Sequence, residues 1–273
     1  MLVFVLLLFA DKTNLDDESG AALGGRAGDE KGSAAPANAV NSDLLTLLPP
    51  DESPAEIAQL RTALDAEKGA EQRVDLYHRI VEGYQNAGRM DLAAVYASAL
   101  AEEVPDAKNF VVAGALFRNA AAQSSVQSDS SLFRRLSDEA IHQDEAALEL
   151  DPKNEDAKLE LGLALVESGI PGNSMQGIFK IREVADQNPK NTEALFHLGK
   201  FSLDTNQDDK AKQRFLQILE VQPADVRAKY YLGLTEKRLG NSAEFNRLMS
   251  EVATQTQDAN LAALAKEALN RNQ

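Results

Sequence analysis

Apolar residues return at helical spacing through residues 74–270, and the whole pattern repeats about every 34 residues. The clearest unit, residues 192–225, holds two amphipathic runs that are separated by a turn at Asn206 and closed by Pro223. Its apolar and small positions are Leu195, Leu198, Gly199, Ala211, Phe215 and Ile218. Such a unit predicts two antiparallel helices, and its repetition predicts a stack of helical hairpins with a shared core.

The same skeleton fits residues 74–107 almost without gaps. Its matching positions are Tyr77, Ile80, Val81, Gly88, Ala93, Ala97, Leu100 and Pro105. A third unit, residues 155–191, has a longer turn, SGIPGNSM. The small residues mark where two helix backbones approach, so a larger side chain there would push the helices apart. We therefore expect Gly199→Leu to destabilise the stack.

These offsets of small, apolar and proline residues resemble the tetratricopeptide-repeat family. The resemblance implies an all-α fold, a right-handed α-solenoid of helical hairpins, with five repeats in residues 74–259. Amphipathic helices at residues 53–67 and 260–273 are predicted to cap the two ends, because an uncapped end would leave apolar surface in water. Such a resemblance is specific for fold and nearly silent about activity.

Two repeats depart from the family pattern. The second contains an insertion around SSVQSDSS, residues 124–131, which predicts an extended helix and a polar loop. This loop is either a tolerated surface insertion or part of a binding site. The fifth repeat has Phe245 where the family prefers alanine, which predicts looser packing between its two helices.

The N-terminal region concerns cellular location. Residues 1–10, MLVFVLLLFA, are wholly apolar but fall short of the roughly 20 residues that a membrane-spanning helix needs. We expect the second half of a membrane anchor; a short signal sequence and an interfacial anchor are the alternatives. Residues 11–52 have the composition of a disordered acidic tether, with three cations against nine acids, which favours the periplasmic or exterior side. The apolar cluster at residues 44–48 either docks on the first helices or binds a partner.

Composition argues against several classes of function. The formal net charge is −15, which disfavours nucleic-acid binding because phosphate contacts need a basic face. The chain contains no cysteine, and His78, His142 and His197 lie in different repeats without a metal-ligand pattern. Motifs for phosphate-binding loops, serine hydrolases and zinc proteases are absent from the sequence. We therefore expect no enzyme activity, no metal and no cofactor.

The candidate site is the inner, concave surface of the stack. In tetratricopeptide-repeat proteins the first helix of each repeat lines a groove for ligands, and the resemblance implies that matching positions do so here. They are Lys108, Val111, Arg118, Phe196, Lys200, Tyr230, Lys237 and Arg238. This basic and aromatic set suits a peptide with acidic groups; a mixed inner face without a ligand is the alternative. Leu159, Phe196 and Tyr230 argue against the carboxylate clamp of the chaperone-binding members.

We therefore predict a non-catalytic scaffold or adaptor that is tethered at a membrane and binds a protein or peptide segment in this groove. The alternative is an accessory factor that presents client proteins during assembly, as in cytochrome c maturation or envelope biogenesis. A stable stoichiometric partner would favour the scaffold, and transient binding of unfolded clients would favour the accessory factor.

Overall fold

The computed structural model describes residues 42–271, and within them the chain forms 14 helices and no strand. The helices are α1 (Ser42–Leu47), α2 (Ala55–Ala66), α3 (Ala70–Asn86), α4 (Met90–Glu103), α5 (Ala107–Ala121), α6 (Ser124–Gln127), α7 (Ser130–Leu150), α8 (Glu155–Glu167), α9 (Asn173–Gln187), α10 (Thr192–Asp204), α11 (Asp208–Val221), α12 (Val226–Arg238), α13 (Ser242–Gln255) and α14 (Ala259–Asn270). None of these helices combines the length and the apolar character of a membrane span. The predicted anchor at residues 1–10 and most of the predicted tether lie outside the described residues.

Five pairs of helices pack as hairpins: α3 with α4, α5 with α7, α8 with α9, α10 with α11, and α12 with α13. The second helix of each hairpin also packs against the first helix of the next one. In addition, α2 packs on the first hairpin and α14 on the last. The prediction of an all-α solenoid of helical hairpins is confirmed.

Four of the first helices begin two or three residues after a proline. Their preceding residues accept hydrogen bonds from backbone N–H groups two or three positions ahead, at 2.8–3.0 Å. These capping residues are Asp106, Asn154, Asn191 and Asp225. Proline cannot continue the previous helix, and the capping side chain satisfies an N–H group that the next helix leaves free. The boundaries between hairpins are therefore specified by the local sequence.

Small residues allow paired helices to approach closely. A methyl group on Gly177 of α9 would collide with the carbonyl oxygen of Gly162 on α8 and would lie 2.8 Å from a methyl of Val166. In the next hairpin, a methyl group on Gly199 would lie 2.7 Å from the ring of Phe215. The glycines thus set the distance between the two helices of these two hairpins, as the sequence pattern predicts.

The insertion in the second repeat is helical, so the predicted polar loop is wrong. Ser124–Gln127 forms α6, and the predicted extended helix is α7, which has 21 residues. Val126 is buried in the same core as the first hairpin. Asp129 begins α7 by accepting hydrogen bonds from the N–H groups of Ser131 and Leu132. One buried apolar side chain and one helix cap therefore order a segment whose composition is that of a loop.

Phe245 in the fifth repeat is fully buried, and no loosening is visible around it. It packs in a cluster with Met249, Val252 and Ala265, and Ala265 belongs to α14. The amine of Lys237 on α12 lies 4.8 Å from the centre of the Phe245 ring. The larger side chain therefore belongs to the layer that joins the last hairpin to its cap.

The apolar cluster at residues 44–48 docks on the first helices, which was one of the two outcomes expected from the sequence. Leu44 and Leu48 are buried in the core of the first hairpin. The hydroxyl of Tyr84 on α3 donates a hydrogen bond of 2.7 Å to the Asp51 carboxylate. We call residues 42–51 the strap. The folded region therefore begins within the segment that was predicted to be a disordered tether up to residue 52.

The side chain of Arg89 binds the backbone of the strap. The guanidinium donates to the carbonyl oxygens of Pro49 and Pro50 at 3.0 and 2.9 Å. The same group pairs with the buried carboxylate of Asp91 at 2.8 and 2.9 Å, which fixes its orientation. Both carbonyls and the carboxylate depend on this one side chain.

Arg89→Ala should destabilise the protein by about 2 kcal/mol, because it removes these hydrogen bonds and leaves Asp91 buried without its partner. Denaturant unfolding measures the loss, and limited proteolysis should show faster cleavage near the strap. Arg79→Ala is the control, since Arg79 is exposed and lies 3.7 Å from Asp75 on its own helix. We expect it to cost less than about 0.5 kcal/mol. Equal losses in the two variants would contradict the role assigned to Arg89.

Candidate binding surface

The eight predicted site residues lie on the first helices of three hairpins. Lys108, Val111 and Arg118 lie on α5, Phe196 and Lys200 on α10, and Tyr230, Lys237 and Arg238 on α12. Helices α10 and α12 contact each other directly, whereas α5 contacts α8. The structure therefore brings Phe196 and Lys200 of α10 against α12, places Tyr230 and Lys237 on the side of α12 that faces α13 and α14, and leaves the α5 residues as a separate group.

An aromatic cluster joins α10 to α12. The Phe196 ring meets Tyr231 edge-on, with 5.2 Å between ring centres, and Tyr231 stacks on Phe215 of α11 at 5.8 Å. Tyr230 meets Tyr231 edge-on at 5.5 Å. Edge-to-face and offset contacts within about 7 Å are the favoured geometries for aromatic pairs. The cluster therefore stabilises the junction between the fourth and fifth repeats.

Phe196 is mostly buried beneath this surface. It is only 7% exposed, so little of its ring is left to contact a ligand. The guanidinium of Arg227 lies 4.7 Å from the centre of the ring, and the amine of Lys200 lies 5.9 Å from the centres of both Phe196 and Tyr231. Tyr230 and Tyr231 are partly exposed and present the accessible aromatic groups.

Two of the predicted cations are paired with acids of the same chain. Arg118 donates to Glu160 at 3.0 Å and to Glu167 at 3.3 Å, and both acids lie on α8. Arg238 contacts Asp208 of α11 at 2.7 Å. These guanidinium groups link neighbouring helices, and a ligand that used them would have to break the existing pairs.

The predicted lysines are different. Lys108, Lys200 and Lys237 form no ion pair with any acid in the part of the chain that the structure describes. Lys200 and Lys237 contact aromatic rings, which orient an amine without neutralising its charge. Their positive charge is therefore available to a ligand.

Glu193 orients two basic side chains of this surface, His197 and Arg227. Its carboxylate lies 3.4 Å from His197 and accepts a hydrogen bond of 2.8 Å from Arg227. These hydrogen bonds, first from His197 and then from Arg227, lower the pKa of Glu193 to about 2. The carboxylate therefore stays ionised at physiological pH and holds Arg227 over Phe196.

The surface offers aromatic edges, hydroxyl groups and amines. Burial raises the pKa of Tyr230 and Tyr231, so both hydroxyls remain protonated donors at physiological pH. Across residues 42–271, no group of three or more His, Asp or Glu side chains is placed to hold a metal ion. Such a surface is suited to carboxylates and carbonyl oxygens through its donors and to apolar side chains through its rings.

Arg227 and Tyr231 were not predicted from the sequence. A signal for Arg227 was present, because Arg227 and Glu193 are 34 residues apart, which is one repeat. Opposite charges at equivalent positions of successive repeats face each other when the repeats stack. Tyr231 had no comparable signal, since its neighbour Tyr230 occupied the position expected to face a ligand.

Comparison with known proteins gives a likeness in fold. No family model and no curated protein matches the chain. Among solved structures, TTC0263, a thermophilic TPR protein in Thermus thermophilus, is 16% identical, with a TM-score of 0.56 over 72% of this chain and 98% of that one. YrrB, described as a TPR protein with an unusual peptide-binding site, is 19% identical, with a TM-score of 0.43 over 76% and 97%. MamA from Desulfovibrio magneticus RS-1 is 17% identical, with a TM-score of 0.47 over 73% and 96%. The likeness to TTC0263 shows that this chain has the tetratricopeptide-repeat fold.

Proposed function

We propose that this chain is a non-catalytic scaffold or adaptor that binds a protein or peptide segment on the surface formed by α10 and α12. The observation that carries the proposal is the combination of two accessible tyrosines, Tyr230 and Tyr231, with Lys200 and Lys237, which have no acidic partner among the described residues. Aromatic anchors with nearby cations are typical of interaction surfaces that bind acidic, partly apolar segments.

The distribution of charge supports this location. Residues 190–271 contain 12 Lys and Arg against 11 Asp and Glu, whereas residues 42–189 contain 13 against 26. An acidic segment would be repelled by the larger, N-terminal part of the molecule and admitted at its C-terminal part. We therefore place the binding surface on the fourth and fifth repeats, and not along all five.

We further propose that the protein is held at a membrane through its N-terminus, with the hairpins on the periplasmic or exterior side. This part of the proposal rests on the sequence alone. Residues 1–10 are wholly apolar, and residues 11–52 contain only three Lys and Arg; a segment with few basic residues is the kind that membrane topology favours on the translocated side.

Tyr230→Ala combined with Lys237→Glu should weaken partner binding by roughly 30-fold, about 2 kcal/mol, because it removes an aromatic anchor and reverses a charge. The tagged full chain is used to capture partners from gently solubilised membranes, and the affinity of the recovered partner is then measured for each variant. Circular dichroism confirms that the variant remains folded at the temperature of the assay.

Phe179→Ala combined with Lys180→Glu is the matched control. It likewise removes one aromatic ring and reverses one lysine charge, but on α9, where Phe179 is exposed on the second helix of the third repeat. Equal weakening by both variants would remove the α10–α12 surface from the proposal. One dominant stoichiometric partner supports a scaffold, and many weakly held clients would favour an accessory role in assembly. Recovery of the protein from the soluble fraction alone would overturn the membrane part.

A further inference from the structure

Asp144 is a fully buried carboxyl group on α7, in the second repeat. Its side chain is 0% exposed, and neither carboxyl oxygen has a hydrogen-bond partner in the described part of the chain. The matching positions of the next two repeats, Ile181 and Phe215, are fully buried apolar side chains. An ionised carboxylate in such a place is strongly disfavoured unless it is paired. The second repeat therefore has an acidic side chain at a position where the next two repeats have a buried apolar side chain.

A glycine makes room for this acid. A methyl group on Gly114 of α5 would lie 2.8 Å from the carboxyl carbon of Asp144. The carboxyl group thus packs directly against the backbone of α5. Arg118, one turn further along α5, pairs with Glu160 and Glu167 of α8. Three acids therefore lie around one guanidinium group, and Asp144 is the one left without a hydrogen bond.

The charged groups that act on Asp144 lie on α5, α7 and α8. They are Arg118 from α5, Glu160 from α8 and Glu145 from α7 itself. On the α4 side, Ser98 accepts a hydrogen bond of 2.9 Å from Gln143, and Glu102 faces Glu139 and His142 of α7. Burial, and then the charge of Glu160, raise the pKa of Asp144 well above its ordinary value, while Arg118 opposes the rise.

We propose that the junction of α5, α7 and α8 is a proton-sensitive joint: Asp144 packs in the core as the neutral acid, and loss of its proton opens the α5–α7 contact and draws Arg118 away from Glu160. The joint links pH to the packing of the second repeat against the third. Arg118 lies on α5, outside the surface that we propose for binding, so the joint does not rest on the proposed function.

The pH dependence of unfolding of the full chain, without any partner, tests the joint. Below the ordinary Asp pKa of about 3.9, the folded and unfolded states both hold the proton. As the pH rises, the unfolded state releases its proton first, so stability falls until the pKa of the folded state is passed. We expect the unfolding equilibrium constant of the wild type, relative to Asp144→Asn, to rise by up to about tenfold per pH unit across this window.

Glu149→Gln is the matched control for Asp144→Asn. It removes an exposed acid of the same helix, α7, that is not among the charges acting on Asp144, and it should follow the wild-type profile. Parallel profiles for the wild type and Asp144→Asn would overturn the proposal. A failure of the proposed function would leave these profiles unchanged, because no partner is present in the experiment.

Two further variants should shift the pH at which Asp144 loses half of its protons, and they should shift it in opposite directions. Glu160→Gln should lower the pH at which Asp144 loses its proton, because it removes a repelling charge and releases Arg118. Arg118→Gln should raise that pH. Hydrogen exchange at α7, compared with α10 at the same pH, should accelerate as the proton is lost. The proposal of a joint would be wrong if neither variant shifted this pH. It would also be wrong if hydrogen exchange of α7, relative to α10, did not change with pH, even if Asp144 titrates.

Discussion

Gly177→Ala should destabilise the protein by about 3 kcal/mol, although the substitution adds a single methyl group. That methyl would collide with the carbonyl oxygen of Gly162 and would approach Val166 to 2.8 Å. A carbonyl group in a helix backbone cannot turn away as a side chain can, so α8 and α9 would have to separate and loosen the layer around Ile181. Thermal unfolding should show a fall in Tm of roughly 6–12 °C.

Gly69→Ala is the control that separates crowding by backbone from crowding by a side chain. A methyl group on Gly69 would come equally close to an atom, but that atom is the side-chain oxygen of Gln72, which is exposed and can rotate away. Gly69 precedes α3 with φ −78°, a conformation that alanine adopts without strain. We expect a cost below about 1 kcal/mol. Equal costs for the two variants would show that the glycines do not fix the approach of α8 to α9.

Most of the hairpin architecture could be predicted because it is specified locally. The proline that ends one hairpin and the capping Asp or Asn that begins the next lie within three residues of each other, as at Pro189 and Asn191. The failure at residues 124–131 has the opposite cause. Val126 is a single apolar residue in a polar stretch, too little to give a helical period, and it is buried in a core that extends to the first hairpin.

The candidate site could be predicted at the level of helices and not of individual charges. Arg118 pairs with Glu167, which is 49 residues away, and no spacing in the sequence indicates that contact. The pair of Glu193 and Arg227 is different, because its separation equals the repeat. Phe196 lies on α10, and the guanidinium of Arg227 from the next repeat lies over its ring. Pair formation between repeats thus decides which predicted residues remain available to a ligand.

The aromatic cluster connects this surface to the core. Phe215 is fully buried in the hairpin of α10 and α11, and its ring stacks on Tyr231, which is partly exposed. Tyr231 in turn contacts Tyr230. A substitution of Phe215, which lies beneath the surface, should therefore shift the two tyrosines that are proposed to bind a partner. Phe215 itself need not contact that partner.

Gly199→Leu should cost more than about 3 kcal/mol, because the first side-chain carbon would lie 2.7 Å from two carbons of the Phe215 ring. Phe215→Ala alone should cost about 3–5 kcal/mol, since it leaves a cavity in a fully buried site. In the double variant the leucine enters the space that the ring has left. We therefore expect the double variant to be at least about 2 kcal/mol more stable than the sum of the two changes predicts, as measured by denaturant unfolding of all four proteins.

Gly199→Leu combined with Phe245→Ala gives the matched comparison. Phe245 is also a fully buried ring, but it lies in the separate cluster beneath α14. The two changes share no contact, so their costs should add to within about 0.5 kcal/mol. If the pair of Gly199 and Phe215 were additive as well, Phe215 would not be the residue that sets the spacing of α10 and α11. The alignment of small and large residues that defines the repeats would then be wrong at its clearest unit.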